Sequence, residues 1–252
     1  MTDEERILMR HLQDLSDRAE QSGIYSFSGF LSLPEQDLLM RSVREFGFGR
    51  YRLDGGYEGA ERRIAVFGSE DELGYPPELP LAVLSITPRS ERYAEPLSHR
   101  DILGAVMSLQ IDRSLTGDIL VRGNTAYLIC LKKTADFLCE NLLKIRHTDV
   151  FVRRCPSDLP ALQPVFQEVA VNIASERLDS IVAGLTGISR SHVERLFKEQ
   201  RVFLNGRVID SLSARPKEGD ILTVRGFGKA IYCGISGTSK KGRLYAVLRK
   251  YV

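Results

Sequence analysis

The sequence has no tryptophan, and cysteine, histidine and methionine each occur only 4 times among 252 residues. The cysteines, Cys130, Cys139, Cys155 and Cys233, show no CxxC spacing, and the histidines do not stand at ligand spacing from them. This pattern argues against a zinc site and against a disulfide framework. Buried, reduced thiols and no bound metal are therefore expected.

Long apolar runs are also missing, since the longest are short stretches such as LAVLSI at 81–86. A membrane helix needs roughly 20 apolar residues. The first residues, MTDEERILMR, are acidic where a secretory signal would be cationic. With 43% hydrophobic and 27% charged residues, the composition excludes a disordered chain and predicts a globular, cytoplasmic protein with no membrane span.

The net charge is close to zero, at +2, but it is unevenly distributed. Residues 175–252 hold 15 Lys and Arg against 7 Asp and Glu, a net charge of +8, which leaves −6 for residues 1–174. A cationic block on an acidic chain favours a polyanionic partner, because counterion release drives phosphate binding. The alternative is a basic surface that is merely solvated.

Residues 1–78 are expected to form an N-terminal α+β domain, so the fold class predicted for the chain is α+β. A first helix is indicated by apolar spacing at Ile7, Leu8, His11, Leu12 and Leu15. A second helix follows the capping box of Ser32 and Glu35 and ends at Gly47. Two strands surround a glycine-rich turn in YRLDGGYEGAERRIAVFG, and the Pro-rich segment SEDELGYPPELP predicts a boundary near residue 78.

Residues 79–160 show the order strand, helix, strand, strand, helix, strand. The strands are LAVLSITP, GDILV, AYLICL and TDVFVRR, and the helices are one capped by Ser98 and Asp101 and one over 134–145. The order βαββαβ predicts the ferredoxin-like plait that RNA-recognition motifs also use. Only Tyr127 supplies an aromatic ring on the central strands, so base stacking on this sheet is not expected.

Nothing in the sequence indicates an active site. The triplet HRD at 99–101 matches part of the protein-kinase catalytic loop, but the Asn that this loop requires falls on Val106. GFGR and GFGK are incomplete phosphate loops. We therefore expect no catalytic residues, no cofactor and no small-molecule substrate.

Residues 175–252 begin with two short helical patterns. The apolar positions of the first are Leu178, Ile181, Val182 and Leu185, and those of the second are Val193, Leu196 and Phe197. Gly187 ends the first helix and Ser189 is a favoured N-cap of the second. The remaining face of the second helix is cationic, so the net charge of +8 is expected to be concentrated beside this helix pair. RVFLNGRVI then predicts a strand, a turn at Asn205-Gly206 and a return strand, and RPKEGDILTV predicts a turn into a further strand.

Four motifs carry a resemblance to the S4 RNA-binding domain: RLD at 177–179, SRS at 189–191, RVFLNGRVI, and KEGD at 217–220. The rest of the chain resembles the YlmH-type S4 proteins of bacteria, through LSHRDILGAVMSLQIDRSLTGDILV and the basic loop GTSKKGR. The resemblance implies a non-enzymatic protein that binds ribosomal or transfer RNA, on the large ribosomal subunit, in rescue of stalled translation. A link to cell division has also been attached to this family.

The resemblance and the charge pattern together predict the residues that contact RNA. They are Arg177, Ser189, Arg190, Ser191, Arg195, Lys198, Arg201, Asn205, Arg207, Lys240, Lys241 and Arg243. Arg177 and Arg190 are expected to direct two N–H groups at one phosphate. Ser189 has a competing function as a helix cap, Asn205 is primarily a turn residue, and Lys240, Lys241 and Arg243 are expected in a flexible loop.

Two other classes of function stay open. S4 domains are often attached to RNA-modifying enzymes, although residues 1–174 offer neither a placed catalytic Asp nor a cofactor-binding glycine loop. The protein could instead be a scaffold that binds protein partners, with an incidental basic patch. A monomer that binds structured RNA and the ribosome is the expectation carried forward.

Overall fold

The structure, a computed structural model, describes residues 2–93, 95–240 and 242–252. The chain divides into two compact units, Met1–Gln163 and Pro164–Val252. Both contain helices and antiparallel sheets, so the expected α+β class is confirmed. The proposed boundary near residue 78 stays a prediction, since both sides of it lie in the first unit.

The first unit begins with a small sheet that carries two helices. Its elements are α1 (Asp3–Ser22), β1 (Ser26–Leu31), α2 (Leu33–Phe46), β2 (Tyr51–Asp54), β3 (Arg63–Phe67) and α3 (Glu70–Leu73). The strand order is β1-β3-β2, with antiparallel pairing. The two expected strands are β2 and β3, whereas β1 was not predicted.

The start and end of α2 were predicted correctly, whereas the buried face of α1 was predicted only in part. α2 begins at the predicted capping box, in which the Glu35 carboxylate accepts from the Ser32 N–H at 2.6 Å, and it ends at Gly47. The side of α1 that faces the core was predicted wrongly in part. Its buried residues are Met9, Leu12, Leu15, Ser16 and Ala19, while Ile7 and His11 are exposed.

The second part of the first unit is the predicted plait. Its elements are β4 (Leu81–Pro88), α4 (His99–Ser108), β5 (Thr116–Arg122), β6 (Thr125–Leu131), α5 (Lys132–Asn141), β7 (Lys144–Ile145) and β8 (Thr148–Cys155). The order β5-β6-β4-β8, with β7 added at one edge, is that of a ferredoxin-like plait. The expected helix over 134–145 was wrong at its end, because Lys144–Ile145 pairs with β8 instead.

The two faces of the plait sheet are covered by different elements. One face packs against α4 and α5 through buried residues that include Leu84, Ile102, Leu128 and Leu138. The other face meets the small N-terminal sheet: a shared core is formed by Phe30, Ile64, Val66, Ile129 and Leu131. The N-terminal sheet therefore covers part of the surface on which RNA-recognition motifs stack bases.

The contact between the N-terminal sheet and the plait is close. The Phe30 ring lies over Gly117 of β5, where an added Cβ would be 2.6 Å from the ring. Arg62 also joins the two, because its Nε donates to the Thr116 carbonyl at 3.1 Å and its Nη2 donates to the Phe30 carbonyl at 2.9 Å. Glycine at position 117 is what permits this approach.

The second unit is one sheet with two helices on one face. Its elements are β9 (Phe166–Ile173), α6 (Leu178–Thr186), α7 (Arg190–Lys198), β10 (Val202–Leu204), β11 (Arg207–Val208), β12 (Ile221–Val224), β13 (Gly228–Thr238) and β14 (Leu244–Tyr251). The strand order is β11-β10-β12-β13-β14-β9 over the described residues. The helix pair and β10 to β12 are as expected for an S4 domain, whereas β9, β13 and β14 were not predicted.

Candidate nucleic-acid interface

The helices α6 and α7 form a hairpin whose inner side is apolar. Leu178, Ile181 and Val182 of α6 and Val193, Leu196 and Phe197 of α7 are buried against the sheet, as predicted. Gly187 ends α6 with φ 70°, a left-handed conformation that glycine adopts without strain. Because the apolar side is fixed in the core, the other side of α7 faces solvent with Arg190, Arg195 and Lys198 exposed.

Ser189 occupies the predicted N-cap position, but its side chain does not act as the cap. Its backbone is extended, and its carbonyl accepts from the Val193 N–H at 3.0 Å. The Ser189 Oγ is 3.1 Å from the Ser191 Oγ and 2.9 Å from the His192 Nδ1. A cluster of two hydroxyls and an imidazole therefore lies at the exposed start of α7.

Arg177 makes a two-pronged contact, but its partner is a neighbouring carboxylate. Its Nε and Nη2 donate to Asp179 at 3.1 and 2.9 Å. Burial opposes ionisation of Asp179, yet hydrogen bonds from Arg177 and Ser180 outweigh it and hold the pKa of this carboxyl below its ordinary value. The fork that was expected to meet a phosphate is thus occupied, and RNA would have to displace Asp179.

Glu199 forms ion pairs with two further candidate cations. Arg195 Nε lies 3.5 Å from one of its oxygens, and Arg201 Nη1 lies 3.3 Å from the other. Arg201 Nη2 also donates to the Arg225 carbonyl at 2.8 Å. Such exposed pairs are weak and screened by salt, so they leave Arg195 able to turn toward a phosphate. Arg201 is held more firmly.

Asn205 acts as a turn residue, as expected. It has φ 53°, and its side-chain amide is both a donor and an acceptor of hydrogen bonds. Nδ2 donates to Asp220 and Oδ1 accepts from the Ile221 N–H, each at 2.8 Å. These bonds connect the β10–β11 turn to the start of β12. Arg207, which follows the turn, is exposed.

The basic loop near residue 240 is better anchored than expected. Arg243 donates through Nε and Nη2 to the side chain and carbonyl of Asn172 in β9, and its N–H donates to the Ser239 Oγ at 3.0 Å. Lys240 is exposed, and Lys241 lies outside the described residues. The loop expected to be flexible is therefore fixed at Arg243, at the edge between β9 and β14.

The positive charge is not concentrated where sequence reasoning placed it. Residues 176–222, which contain the helix pair, hold 8 Lys and Arg against 7 Asp and Glu, a net charge of +1. Residues 223–252 hold 7 Lys and Arg and no Asp or Glu. The expectation that the +8 block lies beside the helix pair is corrected, since the excess belongs to β13, β14 and their connections. Counting charge in shorter windows would have found this.

The plait sheet offers little room for base stacking on its central strands. Tyr127 is half-buried, and the neighbouring Ile129 and Leu131 lie under the N-terminal sheet. Phe151, on β8, is 40% exposed, and the guanidinium carbons of Arg89 and Arg153 lie 4.9 and 5.1 Å from its ring centre. Coverage of Ile129 and Leu131 is thus a second physical cause for poor stacking on the central strands, whereas Phe151 on β8 stays accessible.

The cysteines differ in exposure although all four are free. Cys130 is buried, Cys139 and Cys155 are half-buried, and Cys233 is exposed, so burial was predicted wrongly for the last. Burial raises the pKa of the Cys130 thiol to about 12, which keeps it protonated at neutral pH. Among the described residues, no group of three or more His, Cys, Asp or Glu could hold a metal ion, and no helix is long and apolar enough to cross a membrane.

Comparison with known proteins gives matches to family models and to individual proteins. Residues 81–158 match the family described as "Putative RNA-binding domain in YlmH", and residues 176–222 match the S4 domain. The chain is 30% identical over 220 residues to the "Ribosome-associated protein quality control protein P2" of Bacillus subtilis, covering 85% of this chain and 82% of the relative. A solved structure, "Cell division protein ylmH from Streptococcus pneumoniae", is 23% identical and has a TM-score of 0.47, covering 62% of this chain and 93% of the other.

Proposed function

Because the chain belongs to the YlmH family of S4-domain proteins, we propose that it binds structured ribosomal or transfer RNA and has no catalytic activity. The similar protein from Bacillus subtilis is named for ribosome-associated quality control. We propose further that this protein acts in the cytoplasm as a monomer, on the large ribosomal subunit, in the rescue of stalled translation.

The observation that carries the proposal is the outward side of α7. Arg190, Arg195 and Lys198 are exposed there, while Val193, Leu196 and Phe197 fix the helix in the core. Structured RNA presents phosphates and 2′-hydroxyls across a shallow groove, so a rigid cationic helix can bind it by shape. Arg190 supplies a planar fork and Lys198 a point charge.

The other proposed contacts lie at the start of this helix or elsewhere in residues 177–243. They are Arg177, Ser189, Ser191, Arg201, Asn205, Arg207, Lys240, Lys241 and Arg243. Arg177, Arg201 and Asn205 act mainly by holding neighbouring segments in place, since the side chain of each already donates a hydrogen bond within the protein. Arg190, Lys198 and Arg207 are exposed, and we expect them to contribute most to phosphate binding.

The proposal is tested by sedimentation of a bacterial lysate that contains the tagged full-length protein. We expect the protein in the large-subunit fractions, and we expect ribonuclease treatment to release it to the top of the gradient. Arg190→Ala combined with Lys198→Ala should shift it toward the top without nuclease. The control, Arg10→Ala on exposed α1, should not shift it.

Two outcomes would contradict the proposal. Absence from every ribosomal fraction would remove the ribosomal partner. Retention in heavy fractions after complete digestion of RNA would favour a scaffold that is held by protein contacts.

A further inference from the structure

The sheet of the second unit has a second face, opposite α6 and α7. Residues of β9 and β14 pair in register, with Tyr245 opposite Asn172 and Tyr251 opposite Phe166. Alternate residues such as Ala246 and Leu248 point into the helix-side core. The side chains of opposite parity on β9, β13 and β14 form what we call the open sheet face, which includes Phe166, Glu168, Lys229, Tyr245, Arg249 and Tyr251.

Two cation–aromatic pairs organise one end of the open sheet face. Lys229 Nζ lies 4.0 Å from the centre of the Tyr251 ring, and Arg249 Cζ lies 4.9 Å from the centre of the Phe166 ring. The two rings are themselves 4.8 Å apart at an interplanar angle of 63°. Cations and rings therefore alternate across three neighbouring strands in a fixed arrangement.

The other end of the open sheet face carries a more exposed ring. Tyr245 is 39% exposed and lies two residues after Arg243, which anchors the basic loop to Asn172. From Tyr245 to Tyr251 the strand extends about 20 Å. The open sheet face is thus continuous with the basic loop and has an aromatic ring near each end.

The charge balance of this surface selects its partner. Residues 223–252 contain seven basic side chains and no acidic one. Of these, Lys229 and Arg249 lie on the open sheet face, and Glu168 of β9 lies on the same face, opposite Arg249. A protein interface of ordinary composition is depleted of Lys at its core. Cations interleaved with aromatic rings on a flat sheet are instead the pattern that binds single-stranded nucleic acid, because rings stack bases and cations follow the phosphates.

We infer that the open sheet face binds an unpaired stretch of RNA, as a site separate from the outward side of α7. A duplex hides the faces of its bases, so the rings of this surface can stack only on nucleotides that are not paired. All residues of this surface, including Lys229, Tyr245 and Arg249, lie outside the S4 match at 176–222. The inference rests on the proposed RNA-binding function and adds to it the kind of RNA bound.

The test uses the full-length protein with two labelled probes, a ten-nucleotide uridine oligomer and a closed RNA hairpin. The variants are Tyr245→Leu, which removes the ring and keeps an apolar side chain, and Arg249→Gln, which removes the charge. We expect each to weaken oligomer binding by about tenfold, since stacking and phosphate contacts of this kind have that magnitude. Arg249→Gln should also reduce the slope of log affinity against log salt by about 0.7.

Matched controls separate this inference from the proposed function. Phe137 on α5 is 45% exposed, so Phe137→Leu should leave oligomer binding unchanged. Hairpin binding should be retained in Tyr245→Leu and Arg249→Gln but lost in Arg190→Ala with Lys198→Ala. Unchanged oligomer affinity and salt slope in both sheet variants would overturn the inference, even with hairpin binding intact. Failure of the wild-type protein to bind either probe would contradict the proposed function itself.

Discussion

The plait sheet and the sheet of the second unit both carry helices on one face, but their other faces differ. In the plait, Ile129 and Leu131 of that face lie in a core shared with Phe30 of the N-terminal sheet. In the second unit the corresponding face carries Tyr245, which is 39% exposed, and Arg249, which is also exposed. In the plait, the helix-free face is the one on which RNA-recognition motifs stack bases, and it is partly covered. The helix-free face of the second-unit sheet is accessible.

This difference shows that added elements, more than the fold class, decide which sheet face can bind a ligand. The plait has gained a small sheet that covers it, whereas the S4 core has gained β9, β13 and β14, which widen it. β9, β13 and β14 lie outside the helix hairpin and the other motifs from which the S4 domain was predicted. The charge follows the same division, because residues 223–252 hold seven Lys and Arg without an Asp or Glu.

The largest effect is expected from a matched pair of aromatic substitutions, one on each face. Phe30 is 1% exposed and Tyr245 is 39% exposed. Phe30→Ala should lower the free energy of unfolding by about 3–5 kcal/mol, because it leaves a cavity between the N-terminal sheet and the plait. Tyr245→Ala should change it by about 1 kcal/mol or less, through strand propensity and cross-strand packing. Urea unfolding measures both, and equal losses would show that the open sheet face is in fact a packed surface.

A second pair of substitutions compares the two sides of α7. Leu196→Ala should cost about 2–5 kcal/mol of unfolding free energy, since Leu196 is 4% exposed. Lys198→Ala should leave stability within about 0.5 kcal/mol but flatten the salt dependence of hairpin binding by about one unit or less. Thermal melting and filter binding on the same samples separate folding from binding. A normal fold with unchanged affinity and slope in Lys198→Ala would mean that this helix side is only solvated.

A smaller effect is expected at Asp118, which holds the N-terminal part to the plait. Its carboxylate accepts from the Tyr57 hydroxyl and the Glu61 N–H, each at 2.7 Å, and from the Arg62 N–H at 3.1 Å. Asp118→Asn replaces one acceptor with a donor and should cost about 1.5–3 kcal/mol. It should also speed hydrogen exchange of the β6 amides.

The control for Asp118 is Asp136→Asn, which removes an exposed carboxylate 2.8 Å from Arg154. An exposed ion pair contributes about 0.2–1 kcal/mol, so little change is expected. Equal effects of the two substitutions would show that Asp118 does not hold the N-terminal sheet to the plait.

Local signals in the sequence were sufficient for the capped helices and for the plait order. Ser32 with Glu35, and Ser98 with Asp101, form the predicted capping boxes because such bonds depend on residues three apart. β1 and β9 were missed because a strand is stabilised by partners that are distant in sequence. The end of α5 was misplaced since the hairpin of β7 with β8 competes with the helix there.

The candidate site was predictable in its exposure but not in its pairing. Positions i and i+2 do not face each other within a helix, so the contact between Arg177 and Asp179 was not foreseen. It forms because Arg177 is the N-cap, with extended φ −116° and ψ 147°. The open sheet face, by contrast, had a readable signal: Tyr245, Val247, Arg249 and Tyr251 alternate with Ala246 and Leu248 at the period of a strand.

The pairing of β9 with β14 has a consequence for the order of folding during synthesis. Ile173 pairs with Leu244 and Phe166 with Tyr251, so this ladder closes around α6, α7 and the four strands between them. A nascent chain exposes β9 as an unpaired edge until β14 has been made, which is a slow, non-local step. If a ribosome paused after β9 had been synthesised but before β14, the sheet of the second unit would lack β14. β9 would then stay available to pair with a strand of another chain.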